Sequence, residues 1–337
     1  MQRERAQEIL DNFTGKRVLV IGDVMLDEYV WGKVSRVSPE APVMVVDADH
    51  HTFVPGGAAN VVNNVCAMGA VSSITGLIGQ DSAATTLTQK LKEEGADIDG
   101  LVSTPSRPTT LKTRVIAHSQ QGAQQVVRVD HERRDPIDAP SQERILAHLQ
   151  AAIPHCDAVL LSDYQKGLLT RELVKNAVDL ARKHKKIITG NVKPQGIGAH
   201  CKLTMMTMNV YEASEASGFM LGEGNAGGEG TLREAGRMLL RKSGAENVLV
   251  TRSAHGLTLF SANGDITTLP AHPVEVFDGT GAGDTVISTL TLALAAGATP
   301  LEAVELANCA GAVVVRKVGV ATASREEILA TVAPEGE

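Results

Sequence analysis

The sequence lacks the marks of several protein classes. Its 337 residues contain no apolar run of the roughly 18 residues that a membrane span requires, and the charged N-terminus has no signal-peptide core. The four cysteines are scattered, without Cys-x-x-Cys or a histidine at ligand spacing, so neither disulfides nor a zinc site are predicted. The net charge of −7 argues against nucleic-acid and membrane-surface partners. We therefore predict a cytoplasmic, globular protein with reduced thiols.

Two nucleotide-binding signatures are missing from the positions where they would be informative. No Gly-x-Gly-x-x-Gly follows the first apolar run at 18–21, and the chain has no Gly-Lys-Ser/Thr of a P-loop. These absences disfavour a nicotinamide oxidoreductase and a P-loop enzyme.

Apolar runs alternate with amphipathic stretches along most of the chain. This pattern predicts a three-layer, doubly wound α/β fold whose mainly parallel sheet binds ligands at the carboxyl ends of its strands. The strands are expected at 18–21, 71–77, 158–161, 186–190 and 248–251, and the helices at 59–68, 82–94, 141–152, 170–184 and 231–243. The glycine-rich residues 218–230 predict a surface loop.

Four short strand-like runs, at 29–31, 43–47, 109–117 and 124–129, do not fit this alternation. They predict a small β-sheet lid, inserted at about 24–54 and 109–130 into a single domain spanning 1–337. Because exposed strand edges often pair with a second copy, we expect a homodimer formed through the lid.

The most informative segment is Asp278-Gly279-Thr280-Gly281-Ala282-Gly283-Asp284, which links the apolar run 274–277, expected to be a strand, to a helix. Glycines at a helix start permit close approach, and the helix amides there favour an anion. Asp284 beside that anion is placed to accept a proton from an attacking hydroxyl, which favours phosphoryl transfer to an alcohol. The alternative is that Asp284 only caps the helix.

Other clusters follow strands or begin helices. Asp23 and Asp27 come after the first strand, where carboxylates can accept hydrogen bonds from sugar hydroxyls. Gly56 and Gly57 allow close backbone approach before a helix that Asn60 starts. The plainer readings are solvated acids and a capped turn.

Together these segments resemble the ribokinase-like sugar kinases of the PfkB family. The glycine turn is similar to the family signature Asp-Thr-Thr-Gly-Ala-Gly-Asp, with Gly279 as a departure. The resemblance implies ATP and Mg²⁺ as cofactors, a sugar acceptor, and catalysis by Asp284 with Gly281, Ala282 and Gly283. It implies nucleotide contacts at Asn209, Glu212, Thr251, Arg252, Ser253, Gly256, Gly281, Gly283 and Asn308, with Glu212 near the metal through water. A second departure is Asn191, where many relatives have an aspartate.

Further motifs, at 35–43, 55–61, 128–130 and 161–167, look like one branch of this family, the D-glycero-β-D-manno-heptose 7-phosphate kinases. That resemblance implies phosphorylation at O1 to the 1,7-bisphosphate, in bacterial ADP-heptose and lipopolysaccharide precursor synthesis. It implies substrate contacts at Asp23, Asp27, Gly56, Gly57, Asn60, Arg128, Asp163, Lys166 and Lys193, with Lys112 and Arg114 as alternative cations for the substrate phosphate. No His-x-Gly-His motif occurs, so a kinase without a nucleotidyltransferase domain is expected.

Two alternatives stay open. The chain is compatible with a different sugar or nucleoside kinase of the same fold. It is also compatible with a non-catalytic sugar-phosphate sensor, although an intact Asp284 argues against that function.

Overall fold

The computed structural model describes residues 1–119, 122–198, 202–222 and 228–332. Its helices are α1 Arg3–Asp11, α2 Ala58–Ala67, α3 Ser82–Glu93, α4 Ala139–Ala152, α5 Arg171–Lys183, α6 Val210–Ser217, α7 Gly228–Ser243, α8 Ala282–Ala295, α9 Pro300–Val314 and α10 Arg325–Thr331. Its strands are β1 Arg17–Gly22, β2 Val24–Val37, β3 Met44–Gly57, β4 Val71–Ile78, β5 Asp97–Ser103, β6 Thr110–Ser119, β7 Gly122–His131, β8 Ala158–Ser162, β9 Ile187–Asn191, β10 Met205–Asn209, β11 Asn247–Thr251, β12 Leu257–Ser261 and β13 Ile266–Leu269.

Nine strands form the main sheet, in the order β13-β12-β11-β10-β9-β8-β1-β4-β5. The seven strands from β11 to β5 are parallel, and β12 and β13 add an antiparallel edge. The central strands β1 and β8 are almost wholly buried, as their continuous apolar runs predict. The chain winds outwards in both directions from β1 and β8, so a topological switch point lies between their carboxyl ends.

Helices cover both faces of this sheet. Alternate residues of β1 divide between the two cores: Val18 and Val20 pack towards α1, α2, α8 and α9, and Leu19 and Ile21 towards α4, α5 and α7. The three-layer α/β architecture predicted from the sequence is therefore confirmed.

The second sheet has four strands in the order β3-β2-β6-β7. Strands β2 and β6 are parallel neighbours, and β3 and β7 are the antiparallel edges. The predicted small sheet is present, and its first two strands are longer than expected, reaching Gly57 at the start of α2.

One predicted element is wrong. Residues 274–277 do not form a strand: Val276 and Phe277 are each 63% exposed, and the segment joins neither sheet. The backbone N–H groups of Phe277 and Asp278 both donate to the carbonyl of Val315, just after α9. This loop is therefore anchored on a helix end, which its apolar composition did not reveal.

The helix that begins in the glycine turn, α8, is buried from Asp284 to Leu294. Three of its hydroxyl side chains are satisfied within the helix: Ser288, Thr289 and Thr291 donate to the carbonyls of Asp284, Thr285 and Ile287. No helix in the described ranges is long and apolar enough to cross a membrane. Of the cysteines, Cys66, Cys156 and Cys309 are free thiols, and Cys201 lies outside the described residues. The predicted 218–230 loop lies partly outside them as well, and its last three residues begin α7 instead.

Candidate active site

The site begins at the switch point, where Asp23 follows β1. Its carboxylate accepts backbone N–H groups from Tyr164 (2.9 Å), Lys166 (3.0 Å) and Leu168 (3.3 Å), in the loop after β8. Burial raises the pKa of Asp23, and these three amides oppose that rise. The structure thus gives Asp23, predicted to contact the sugar, a role in fixing this loop.

Asp163 lies in the same loop, beside the end of β9. Its backbone N–H donates to Asn191 Oδ1 over 2.7 Å, so the departure at Asn191 still serves to fix the loop. Burial raises the pKa of the Asp163 carboxyl to about 6.

Asp284 lies in the first turn of α8 and is 6% exposed. Asn60 Nδ2, from α2, donates to its Oδ2 over 2.8 Å, and the hydroxyl of Tyr164 donates to its Oδ1. Burial raises the pKa of Asp284 to about 6, against these two hydrogen bonds and the charge of Lys193, which lower it. The carboxylate is thus oriented by two elements and has a pKa near neutrality, as suits a general base.

Asn60 is itself held in place. Asn64 Nδ2 donates to its backbone carbonyl over 2.9 Å, and Thr285 Oγ1 donates to Asn64 Oδ1 over 2.7 Å. Asn60, predicted to bind substrate, is placed by the structure as a support for Asp284.

The glycine turn presents free amides next to Asp284. Within the described residues, the N–H groups of Gly281 and Gly283 donate no hydrogen bond, whereas those of Ala282 and Asp284 donate to carbonyls in the turn. Gly281 has φ +80°, and an added Cβ would lie 3.0 Å from Asn60 Nδ2. The turn therefore offers two of its predicted amides to an anion at the start of α8.

The lid contributes charged side chains facing this turn. Asp27, on β2, accepts a hydrogen bond from Arg114 Nη1 over 2.6 Å, and Arg114 lies 5.3 Å from the centre of the Tyr29 ring.

The two predicted glycines lie close to these acids. An added Cβ at Gly56 would lie 2.5 Å from Asp27 Oδ2, and one at Gly57 would lie 2.6 Å from the Asp23 carbonyl. Both predicted glycines are thus required for close packing beneath the site.

Most of the predicted phosphate-binding cations are already paired. Lys166 pairs with Glu132 at 2.7 Å, Arg128 pairs with Asp130 at 2.8 Å, and Lys193 pairs with Glu212. The side chain of Lys112, half-buried on β6, forms no ion pair or hydrogen bond in the described part of the chain. Burial and the neighbouring Lys166 lower its pKa. The charges of Asp130, opposite Lys112 on β7, and of Glu132 act against this lowering. Among the described residues, Lys112 is therefore the cation of this group that forms no ion pair.

The predicted nucleotide side lies across the glycine turn. Asn209 and Glu212 form a capping box on α6, with Glu212 Oε2 accepting the Asn209 N–H over 2.9 Å. Lys193 donates to the other oxygen of Glu212. Thr251, Asn209, Glu212 and Gly283 line one cleft together with Asp284.

The remaining predicted nucleotide residues have structural contacts. The Arg252 N–H donates to the Gly256 carbonyl over 2.8 Å, and Gly256 has φ +79° in the tight turn before β12, where Ser253 is exposed. Asn308 Nδ2 donates to the Pro270 carbonyl over 2.9 Å, anchoring the loop before the glycine turn.

The described residues suit a magnesium ion that also has nucleotide phosphates as ligands. Both carboxylate oxygens of Glu212 already accept hydrogen bonds, so Glu212 suits an outer position that contacts the metal through water. No group of three or more His, Cys, Asp or Glu side chains in the described ranges is arranged to hold a metal ion.

Sequence reasoning did not assign a function to Tyr164, whose hydroxyl contacts Asp284. Its position in a strand-end loop beside Asp163 was the available signal. The partner lies 120 residues away in sequence, so only the fold reveals the contact.

Comparison with known proteins agrees with this geometry. Residues 16–327 match the pfkB family carbohydrate kinases. The chain is 42% identical over 94% of its length to the bifunctional protein HldE of Desulfatibacillum aliphaticivorans, and 38% identical over 98% of its length to that of Geobacter sulfurreducens. It spans 63% and 66% of the length of these two relatives.

A solved structure supports the fold alone. Arabidopsis thaliana ribokinase, complexed with ribose and ATP, superposes with a TM-score of 0.71 at 17% identity, covering 94% of this chain and 99% of that one. With a family match over nearly the whole chain, a ribokinase-like fold and a buried carboxylate at a glycine turn, the chain belongs to the PfkB family of carbohydrate kinases.

Proposed function

We propose that the chain transfers the γ-phosphoryl group of ATP to O1 of D-glycero-β-D-manno-heptose 7-phosphate, giving the 1,7-bisphosphate. The observation that carries the phosphoryl transfer is the placement of Asp284, a buried carboxylate with a pKa near 6, beside the unpaired N–H groups of Gly281 and Gly283. The heptose acceptor rests on the resemblance of the motifs at 35–43, 55–61, 128–130 and 161–167, and on the relatives named HldE.

In this mechanism, Asp284 accepts the proton of the attacking hydroxyl while the amides of Gly281 and Gly283 bind the transferring phosphoryl group. Asn60 and Tyr164 hold the carboxylate in position. When bound, magnesium would neutralise charge on the ATP phosphates. Glu212 and Asn209 are the residues that would lie beside it.

The acceptor already carries one phosphate at its far end, which requires a cation. Arg128 and Lys166 each form an ion pair with a carboxylate on the lid or at its border. Among the described residues, Lys112 faces the same group of charges and forms no ion pair, so it is the side chain we propose for the 7-phosphate, with Lys166 and Arg128 beside it. Bound phosphate would also compensate the mutual repulsion of these cations.

The test is ADP release by the purified protein with Mg-ATP and a panel of sugar acceptors. The panel contains the β- and α-anomers of heptose 7-phosphate, fructose phosphates, ribose and adenosine. The Asp284→Asn variant is measured beside wild type, with Asp99→Asn, an exposed aspartate on β5, as a matched control.

We expect turnover on the β-heptose phosphate that falls by about two to four orders of magnitude in Asp284→Asn and is retained in Asp99→Asn. Turnover on another sugar would keep the mechanism and replace the substrate. Near-normal turnover in Asp284→Asn would remove Asp284 as the base, and binding without turnover on any acceptor would favour a sensor.

A further inference from the structure

Tyr164 lies between the two halves of the candidate site. Its backbone N–H donates to Asp23, which fixes the loop after β8. The ammonium of Lys193 lies 5.5 Å from the centre of its ring, and its hydroxyl donates to Asp284 Oδ1. Tyr164 thus contacts the switch-point acid through its backbone, and a cation of the nucleotide side and the base through its side chain.

The direction of the hydrogen bond to Asp284 follows from the surroundings. Burial raises the pKa of Tyr164 well above its ordinary value, and the nearby charge of Asp284 raises it further. The phenol therefore keeps its proton and donates it. With Asn60 donating to Oδ2, both oxygens of the carboxylate are held by donors from separate elements.

We propose that Tyr164 is a positioning residue for the reaction proposed above, fixing the orientation of the Asp284 carboxylate and keeping it ionised. The inference rests on the role of Asp284 as the base. Tyr164 does not itself exchange a proton with the substrate in this scheme; it acts through Asp284.

The expected sign of a Tyr164→Phe change is set by the hydrogen bond. A donor to a carboxylate stabilises the charged form, so removing the hydroxyl raises the pKa of Asp284. The other groups that affect Asp284 are Asn60 on α2, Lys193 after β9 and Asp27 on β2, and Tyr164→Phe leaves all three in place.

The first experiment measures Asp284 directly, without substrate. The protein is labelled with carbon-13 at aspartate Cγ, and the Asp284 resonance is identified by its absence from Asp284→Asn. We expect a titration midpoint of about 6 in wild type. In Tyr164→Phe it should lie about one pH unit higher.

The matched control is Tyr211→Phe, which removes the same hydroxyl from a tyrosine that is 61% exposed on α6. Its midpoint should equal that of wild type. An unchanged or lowered midpoint in Tyr164→Phe would overturn the proposal. Because no acceptor is present, this result is independent of the heptose assignment, and absence of turnover on every acceptor would count against the proposed function alone.

Kinetics then separate positioning from a structural role. On the acid side of the pH profile, the fall in kcat/KM should occur at a higher pH in Tyr164→Phe, by the same interval as the shift of the titration midpoint. The thermal midpoint of unfolding checks that the variant is folded. Both proteins receive the same substrates, so ionisation of the substrate phosphates cancels in the comparison. The double variant, with Tyr164→Phe and Asp284→Asn together, should have nearly the same kcat/KM as Asp284→Asn alone.

Two results contradict this scheme. If the loss of kcat/KM in the double variant equals the product of the two single losses, Tyr164 acts independently of Asp284. Faster turnover in Tyr164→Phe at every pH would show instead that the hydroxyl blocks the base.

Discussion

At the scale of single residues, Asp284 combines a buried position with a supply of hydrogen-bond donors. Burial disfavours its charged form, whereas Asn60 and Tyr164 favour it, and the balance leaves a pKa of about 6. An ordinary exposed aspartate would be a weaker base at neutral pH because its pKa is about 4. The site thus raises basicity while keeping the carboxylate mostly ionised above pH 7.

This balance predicts a pH dependence. Because the raised pKa of Asp284 is about 6, the carboxylate is protonated below that value and cannot accept the proton of the acceptor hydroxyl. We expect kcat/KM to be level above pH 7 and to fall towards about tenfold per pH unit well below pH 6. Level activity down to pH 4.5 would contradict an essential ionised base with this pKa.

A second residue-scale prediction concerns Lys112. In Lys112→Gln, kcat/KM for heptose 7-phosphate should fall by about 10- to 100-fold, because a charge-assisted contact to phosphate is lost. The same sugar without its phosphate should react equally poorly with wild type and variant. Lys33→Gln, an exposed lysine on β2, is the control and should behave as wild type.

Selective loss with the phosphorylated sugar would support Lys112 as its partner. Equal losses with both sugars would indicate a general defect of the lid instead.

Residue chemistry was only partly predictable from sequence. The short motifs drew attention to Asp284, Asn60 and Asp23, because acids and amides at strand ends and helix starts are typical of ligand sites. Their separate contacts were not predictable: the carboxylate oxygens of Asp23 accept hydrogen bonds from backbone amides, and the side-chain Nδ2 of Asn60 donates to Asp284. These pairings join residues that are distant in sequence, so they depend on the tertiary structure.

At the scale of elements, the start of α8 depends on a left-handed glycine. Gly281→Ala adds a methyl group at φ +80° and close to Asn60 Nδ2, the partner of Asp284. We expect about 1–2 kcal/mol loss in the free energy of unfolding and a larger, separate loss of kcat.

Gly297→Ala provides the comparison, because Gly297 follows α8 at φ +92° and an added methyl group would meet no atom within 4 Å. It should lose similar stability and keep its kcat. Denaturant unfolding and steady-state kinetics on both variants test this difference. Equal kcat values would show that the contact between position 281 and Asn60 does not matter for catalysis.

Several buried elements were predictable, although the buried strands β10 and β12 were not predicted. Central strands such as β1 and β8 give continuous apolar runs, and the helices between them give clear periodicity. The half-buried edge strand β5 lacks such a run and was not predicted. Residues 274–277 gave the opposite error, because β-branched residues in an exposed loop resemble a strand in sequence.

At the scale of the whole molecule, the lid remains a predicted dimerisation surface. Its edge strands are β3 and β7, and Val127 and Val129 on β7 are 48% and 57% exposed. Apolar side chains beside a free sheet edge are suited to burial against a second copy.

We expect light scattering at micromolar concentration to give a dimer mass, and Val129→Lys to shift it towards the monomer. Val71→Lys, at a 48% exposed valine that begins β4 in the main sheet, should leave the mass unchanged. A monomer mass for wild type would refute the lid dimer.

The burial of α8 also bears on how such an enzyme changes during evolution. Most residues of this helix are buried, and three of its hydroxyl groups donate to its own backbone carbonyls. We therefore expect few substitutions in this helix to be tolerated, and the surroundings of Asp284, the proposed base, to change slowly. The lid edge strand β7 is mostly exposed on a separate sheet, so most replacements on it should cost little stability. Divergence towards new acceptor sugars should therefore accumulate in the lid, while the reaction itself stays constant.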